Sequence, residues 1–391
     1  MTNLVDDESA VGTRLSRPPA VLLQYLTLIH YRKSVFEEIA ADGRIDFEIC
    51  CGRESPYADM RNFESGRGLK VKFIRNLILH FSAKHFICWQ LGAIFHTIRT
   101  RPQVLVLLGL DPHVISCVPH FLVAKMLGIK VLWWSHATLS RQGRLGDAVR
   151  LFFYRWADGI LAYDDQGAER LAAAGVRART MTTVWNCINH EDYRLIEERP
   201  SRGHPGGTLR LLYVGRMYPL KKMHLLVEAV AHLKGNGVPV LVDVVGTGPS
   251  LDDTRQLASC LHVADEIIFH GELYQEQLAD FLRAADLGVV PSWAGLSVIQ
   301  YFAAGLPVIT EENRQFNHPP EVSAVIEGET GYYFEFDSAE SLAETILRAQ
   351  ANLDELSRGC TRLVSERFRP EIMKDRMIEG VLKVLGTGSG T

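Results

Sequence analysis

The sequence predicts an α/β protein of two domains, each a doubly wound parallel sheet with helices on both faces. Three observations carry that prediction. The chain has 391 residues, more than one core usually organises. Strand-like and helix-like runs alternate along most of its length. The stretch from Pro200 to Thr208, rich in Pro and Gly and poor in apolar residues, breaks the alternation, which then starts afresh. The expected organisation is a tail (1–18), a first domain (19–200), a linker (201–208), a second domain (209–369) and a C-terminal helix with its tail (370–391).

In the first domain Ala20–Leu26 reads as a strand, and Tyr31–Ala41 carries apolar and small residues at helical spacing. Asp46–Cys51 and Leu69–Phe73 read as further strands. Val104–Leu108 is wholly apolar, as in a strand buried on both faces. A helix follows over Val114–Leu127 and stops at Gly128, then a strand over Lys130–Trp134. A helix over Leu145–Ala157, a strand over Gly159–Tyr163 and a helix over Gln166–Ala174, stopped by Gly175, complete the domain. The second domain reads strand Leu209–Val214, helix His224–Lys234, strand Val238–Val245, helix Leu251–Leu261, strand Ile267–His270 and helix Gln275–Ala285. Leu287–Thr310 then packs strand, small-residue turn, short helix, Gly305 stop and strand into one βαβ unit. Pro370–Val384 is the last helix-like segment.

Hydrophobic content of 47% and charged content of 23% are ordinary for a soluble globular chain. The net charge is −4, and no nucleic-acid partner is expected. Seven cysteines without a CxxC pair read as reduced, mostly buried thiols, with Cys50 and Cys51 packing in the core. The polar N-terminus lacks the blocks of a secretion signal, and no apolar window is long enough to span a bilayer. The expected location is cytoplasmic, with peripheral attachment to the inner face of the membrane. That attachment is suggested by Ser65–Leu110, which holds seven basic residues and no acid, interleaved with Phe73, Leu77, Phe81, Trp89 and Phe95. The pattern over 65–101 suits a helix lying on an anionic membrane surface.

Chemistry concentrates at strand ends of the second domain. Val214-Gly-Arg-Met-Tyr-Pro-Leu-Lys-Lys222 follows its first strand: Gly215 permits a sharp turn, and Arg216 and Lys221 are placed to fold toward one anion. Two cations at a strand end would neutralise a diphosphate and stabilise it on departure. Gly246 and Gly248 in Val-Gly-Thr-Gly-Pro follow the next strand, where open α/β sheets bind ligands. In the βαβ turn Gly295, Leu296 and Ser297 offer backbone N–H groups to phosphate, and Gln300 lies one helical turn on.

In order, the GR…K loop, the GxGP loop, FHGELYQEQLADFLRAADLGVVPS, the GLSVIQ turn, AAGLPVIT and PPE…GETGYYF resemble the donor-binding domain of group 1 retaining glycosyltransferases (family 4, GT-B fold). The resemblance covers Leu209 to about Phe334. It implies two Rossmann-like domains facing a central cleft, with the C-terminal helix crossing back to the first. It implies a nucleotide-diphosphate sugar as substrate rather than cofactor, with Arg216 and Lys221 on the diphosphate. Gly295, Leu296 and Ser297 would lie near sugar and phosphate, Gln300 by the ribose, and the base against Gly271, Glu272 and Leu273. Glu321 would shape the donor loop. His136, in a Trp-Trp-Ser-His strand end, is similar to a loop that contacts the donor sugar. On the acceptor side His30, Tyr31 and Arg32 would face the cleft, with Asp111 and His113 beside them. Val184–Asn189 resembles a hinge loop. The pattern departs at one place: the family usually carries two glutamates eight positions apart, where this chain has Ser292 and Gln300.

The resemblance further implies a metal-independent, retaining transfer to a glycan or lipid-linked acceptor in polysaccharide, exopolysaccharide or cell-envelope synthesis. Two alternatives stay open: a nucleotide-sugar-binding partner without transferase activity, prompted by the missing acids, and a nucleotide-sugar epimerase on the same fold.

Overall fold

The computed structural model describes residues 17–55, 62–81, 86–110, 113–137, 144–177, 181–197, 207–312 and 320–386. Asp111, Lys84 and most of the 201–208 linker lie outside these residues.

The first sheet holds β1 (Ala20–Tyr25), β2 (Asp46–Gly52), β3 (Lys70–His80), β4 (Phe86–Leu91), β5 (Val104–Leu108), β6 (Lys130–Ser135), β7 (Gly159–Ala162) and β8 (Met181–Thr183). Its order is β4-β3-β2-β1-β5-β6-β7-β8, parallel throughout except for β3 against β4. The helices of this half are α1 (Lys33–Ala41), α2 (Ala93–Thr100), α3 (Cys117–Met126), α4 (Arg144–Trp156), α5 (Asp165–Ala173) and α6 (His190–Glu197). The second sheet is wholly parallel, β9 (Leu209–Val214), β10 (Val240–Val245), β11 (Ile267–Gly271), β12 (Leu287–Val289), β13 (Val308–Glu311) and β14 (Gly331–Phe334), in the order β11-β10-β9-β12-β13-β14. Its helices are α7 (Met223–Gly235), α8 (Leu251–Cys260), α9 (Gln275–Ala284), α10 (Ser297–Ala303), α11 (Ala339–Gln350) and α12 (Leu353–Arg367); α13 (Pro370–Val384) ends the described chain.

Both sheets reverse their winding at one point, between β1 and β5 in the first and between β9 and β12 in the second. Connections from those strands leave on opposite faces, so a crevice opens at their carboxyl ends, the usual ligand position in such sheets. Strand β5 is apolar on both sides because helices cover both sides: Val104 and Val106 enter one core layer, Leu105 and Leu107 the other.

The chain crosses between domains twice. Ile188 and Tyr193 already belong to the second core, so the passage falls at the 184–189 loop, ahead of the breaker-rich linker. On the return, α13 packs on α1, β7 and β8, and Met373, Met377, Ile378 and Val381 enter the first core. Gly380 allows a close approach there, since a Cβ would stand 2.4 Å from a terminal methyl of Leu161, which would have to shift.

The basic, aromatic segment 65–101 is not one surface helix. It folds as the antiparallel β3–β4 ribbon at the sheet edge, followed by the short helix α2. Its alternation has period two, and cross-strand pairs Arg75–Leu91, Leu77–Trp89 and Leu79–Ile87 share one face. Leu77, Leu79, Trp89 and Leu91 are exposed on it, with Phe81, Phe95 and Ile98 exposed nearby. The opposite face is tied down by buried amides. Gln90 Nε2 donates to Asn76 Oδ1 (3.1 Å) and to the Tyr25 carbonyl (2.9 Å), and Asn76 Nδ2 to that of Leu26 (3.0 Å). All seven cysteines are free; six are buried and Cys260 is exposed. Among the described residues no helix is long and apolar enough to cross a membrane.

Candidate functional site

Loops after β9, β10 and β11 are joined backbone to backbone. Gly215 N–H donates to the Val245 carbonyl (3.0 Å), Met217 N–H to that of Thr247 (2.8 Å), Ser250 N–H to that of Met217 (2.9 Å) and Gly246 N–H to that of Gly271 (2.7 Å). This contact explains the GxG pair. Gly246 and Gly248 hold φ of 135° and 153°, and a Cβ on Gly246 would stand 2.0 Å from the Gly215 carbonyl oxygen. Only glycine fits such an approach of two main chains. Glu272 is held over the platform by Thr247 Oγ1 (3.0 Å) and Tyr274 Oη (2.8 Å).

Arg216 is exposed beside this platform, its guanidinium 5.4 Å from the Tyr218 ring centre. Lys221 is half-buried and donates from Nζ to the Trp293 carbonyl (2.5 Å), which brings the loop after β9 against the turn after β12. Burial, with Arg216 as a nearby like charge, pushes the Lys221 pKa down to about 8. In the turn itself the left-handed residue is Trp293 (φ 55°), not Gly295. Gly295, Leu296, Ser297 and Gln300 stand half-exposed at the start of α10.

A residue that sequence reasoning overlooked sets where α10 sits. The buried Tyr301 hydroxyl accepts from Val214 N–H (2.6 Å) and donates to the Leu212 carbonyl (3.2 Å), so α10 is pinned to β9 across the switch point. Gly288 on β12 makes room for the ring, since a Cβ there would lie 2.8 Å from it. Tyr301 at a helical core position reads in sequence as ordinary packing; only the neighbouring strand reveals its polar role.

Across the crevice the first domain presents the ends of β1, β5 and β6. His136 follows β6 and stacks on Tyr163, with ring centres 4.4 Å apart and planes at 16°. The ring is accessible to solvent, yet the protein around it and the Arg32 charge push its pKa down to about 4. It is therefore neutral at pH 7. His30 and Tyr31 are half-buried, and Asn189 Nδ2 lies 3.1 Å from His30 Nδ1. His113 packs on the hairpin, its Nδ1 2.8 Å from the Phe86 carbonyl.

Arg32, expected to face the cleft on the acceptor side, is instead buried. It is only 2% exposed and lies among Tyr31, Trp134 and Tyr163, with its guanidinium 4.9–5.3 Å from their ring centres. It donates to the Tyr163 hydroxyl (3.1 Å), so it belongs to the core beneath the site. The aromatic faces explain why a buried cation is tolerated there. Glu321 is buried too, accepts from Asn186 Nδ2 (2.5 Å), and has its pKa raised by burial. That bond ties the turn before β14 to the 184–189 crossing, a linkage between residues 135 apart in sequence.

Ser292 donates to Glu311, a buried carboxylate at the end of β13. The position where the resemblance sets the first glutamate thus touches an acid supplied from another strand. Among the described residues no cluster of three or more His, Cys, Asp or Glu is arranged to hold a metal.

Comparison with known proteins bears on the family and the fold. The profile of the glycosyl transferases group 1 matches residues 196–360. The D-inositol 3-phosphate glycosyltransferase 2 of Catenulispora acidiphila is 35% identical over 170 residues, 39% of this chain and 40% of that protein. The matched part of this chain spans about two fifths of the length of such curated relatives. Two solved structures extend the likeness over both domains. A glycosyltransferase from Rickettsia africae superposes with a TM-score of 0.68 at 13% identity, covering 94% of this chain and 99% of that one. The Anabaena protein HepE, in complex with UDP and glucose, gives 0.62 at 15% identity, covering 93% and 99%. At such identities the likeness is one of fold. The chain therefore has GT-B architecture, and its residues 196–360 match the group 1 glycosyl transferases.

Proposed function

We propose that this protein is a glycosyltransferase that moves a sugar from a nucleotide-diphosphate sugar on the second domain to an acceptor on the first, with retention of configuration. The observation that carries the reading is the convergence of Arg216, Lys221 and the Gly295–Ser297 turn on one platform, at the switch point where such sheets bind ligands. Arg216 and Lys221 take the charge that develops on the departing diphosphate. The bond from the anomeric carbon to the diphosphate oxygen breaks, the bond to the acceptor oxygen forms on the same face, and the acceptor proton passes to a diphosphate oxygen. Neutral His136 hydrogen-bonds the sugar, Gln300 the ribose, and the Gly271–Leu273 backbone lies against the base. UDP-sugars are the first donors to test, because the Anabaena neighbour binds UDP and glucose.

The acceptor in this reading is a glycan or lipid-linked molecule met at the inner face of the cytoplasmic membrane, in polysaccharide or envelope synthesis. The exposed apolar face of the β3–β4 ribbon, with Arg75, Arg99 and Arg101 in the same segment, supports attachment to an anionic bilayer. The name of the curated relatives favours a second acceptor, a soluble inositol phosphate.

The test is thermal stabilisation by UDP-, GDP- and ADP-sugars, followed by turnover with each acceptor class. A ligand that binds only the folded state raises the melting temperature. Substituting both Arg216→Ala and Lys221→Ala abolishes stabilisation and turnover; unchanged donor binding in that double variant refutes the site.

A further inference from the structure

Lys221 and Lys222 are neighbours in sequence with different destinations. Lys221 reaches the Trp293 carbonyl, whereas Lys222 pairs with Glu311 Oε2 (2.7 Å) and Asp337 Oδ1 (3.1 Å), its ammonium 3.8 Å from the Phe336 ring centre. The other oxygen of Glu311 accepts the Ser292 hydroxyl. One carboxylate, 2% exposed at the end of β13, therefore joins the loop after β9 to the turn before α10. Lys222 extends the tie to the segment between β14 and α11.

Backbone strain marks the same three segments. Lys222, Trp293 and Asp337 hold φ of 49°, 55° and 60°, a region that side-chain-bearing residues seldom adopt. Such conformations persist where the surroundings over-determine them. The left-handed turn at Lys222 is what lets two adjacent lysines serve different partners.

We infer that Glu311 and Lys222 form a positioning pair: their ion pair, half-buried at Lys222 and buried at Glu311, holds the diphosphate loop and the Ser292–Ser297 turn in register, so that Lys221 and the start of α10 meet one donor. The inference rests on the donor site proposed above. Neither residue touches the donor. In effect the acid absent at Ser292 is replaced, as a structural tie, by one from β13 reached through the serine hydroxyl.

The experiment compares Glu311→Gln, Lys222→Met and the double variant with the wild type. The ligand is whichever of UDP, GDP and ADP stabilises the wild type most. Affinity is measured by calorimetry at a temperature where each variant is fully folded by circular dichroism. Each single variant is expected to weaken the nucleotide about tenfold and raise the donor KM equally, with the acceptor KM unchanged. The double variant is expected to be no worse than either single, because the two residues act as a unit. It also leaves no unpaired buried charge, and it carries the test if a single variant fails to fold. A global stability role would lower the melting temperature without moving the affinity of the folded protein. Wild-type affinity and donor KM in the double variant overturn the inference. So does tighter binding in Glu311→Gln with a loss in Lys222→Met, which would make Lys222 a phosphate ligand. Failure of the donor reading is separate: there, Arg216→Ala and Lys221→Ala leave nucleotide binding unchanged.

Discussion

Raising the pH from 7 to 9 should weaken nucleotide binding through Lys221. Its pKa lies at about 8, lowered first by burial and then by Arg216. The ammonium fraction is then about nine-tenths at pH 7 and about one-tenth at pH 9. A diphosphate that needs the charged form loses about tenfold in affinity over that interval, or about 1.4 kcal/mol. The sign is fixed: a phosphate ligand favours the protonated lysine, so binding takes up a proton above pH 8 and weakens as protons grow scarce. A terminal phosphate with its second pKa near about 6 keeps its charge across the same range. Calorimetric titration of the nucleoside diphosphate at half-unit steps reads the effect. Lys221→Arg, charged throughout, should flatten the profile. Arg216→Ala removes a like charge and should move the midpoint upward, and Glu321→Gln removes an opposite charge and should move it down. A flat wild-type profile between pH 7 and 9, or a fall that persists in Lys221→Arg, refutes the reasoning.

Three further outcomes are expected. Gly246→Ala drives a Cβ into the Gly215 carbonyl at a φ of 135°, costing about 1–3 kcal/mol for backbone strain and about 1–3 kcal/mol for overpacking. Thermal melts should show a clear loss and calorimetry no nucleotide binding, whereas Gly43→Ala, with open space around it, should melt as the wild type does. Tyr301→Phe takes the acceptor from the half-buried Val214 N–H and the donor from the Leu212 carbonyl, a loss of about 1 kcal/mol measurable by urea unfolding. Leu79→Glu with Trp89→Glu should abolish sedimentation with anionic vesicles while preserving transfer to a water-soluble acceptor; retained vesicle binding would move the membrane surface elsewhere.

Local signals made most of the fold legible. Val104–Leu108 announces a strand covered on both faces because five consecutive apolar residues have no solvent side to alternate with. Gly246 and Gly248 are visible because only glycine tolerates their φ and the main chain against them. Arg216 and Lys221 stand in a motif whose spacing reflects one loop. The β3–β4 ribbon misled because mixed basic and apolar residues suit an amphipathic surface of either period, and the sequence between the two strands carries no Pro or Gly. Arg32 misled for another reason: a cation in a cleft loop and a cation sealed among Tyr31, Trp134 and Tyr163 are the same letter in sequence.

What the sequence by itself determined were the features written within a few residues of each other: strand and helix periodicity, glycine turns, the cationic loop after β9. What only the tertiary structure decided were the pairings across long separations, Ser292 and Lys222 on Glu311, Asn186 on Glu321 and Tyr301 on β9. The physical reason is that propensity and turn chemistry act along the chain, whereas burying a charge or a hydroxyl depends on which remote groups the packed sheets bring within hydrogen-bonding reach.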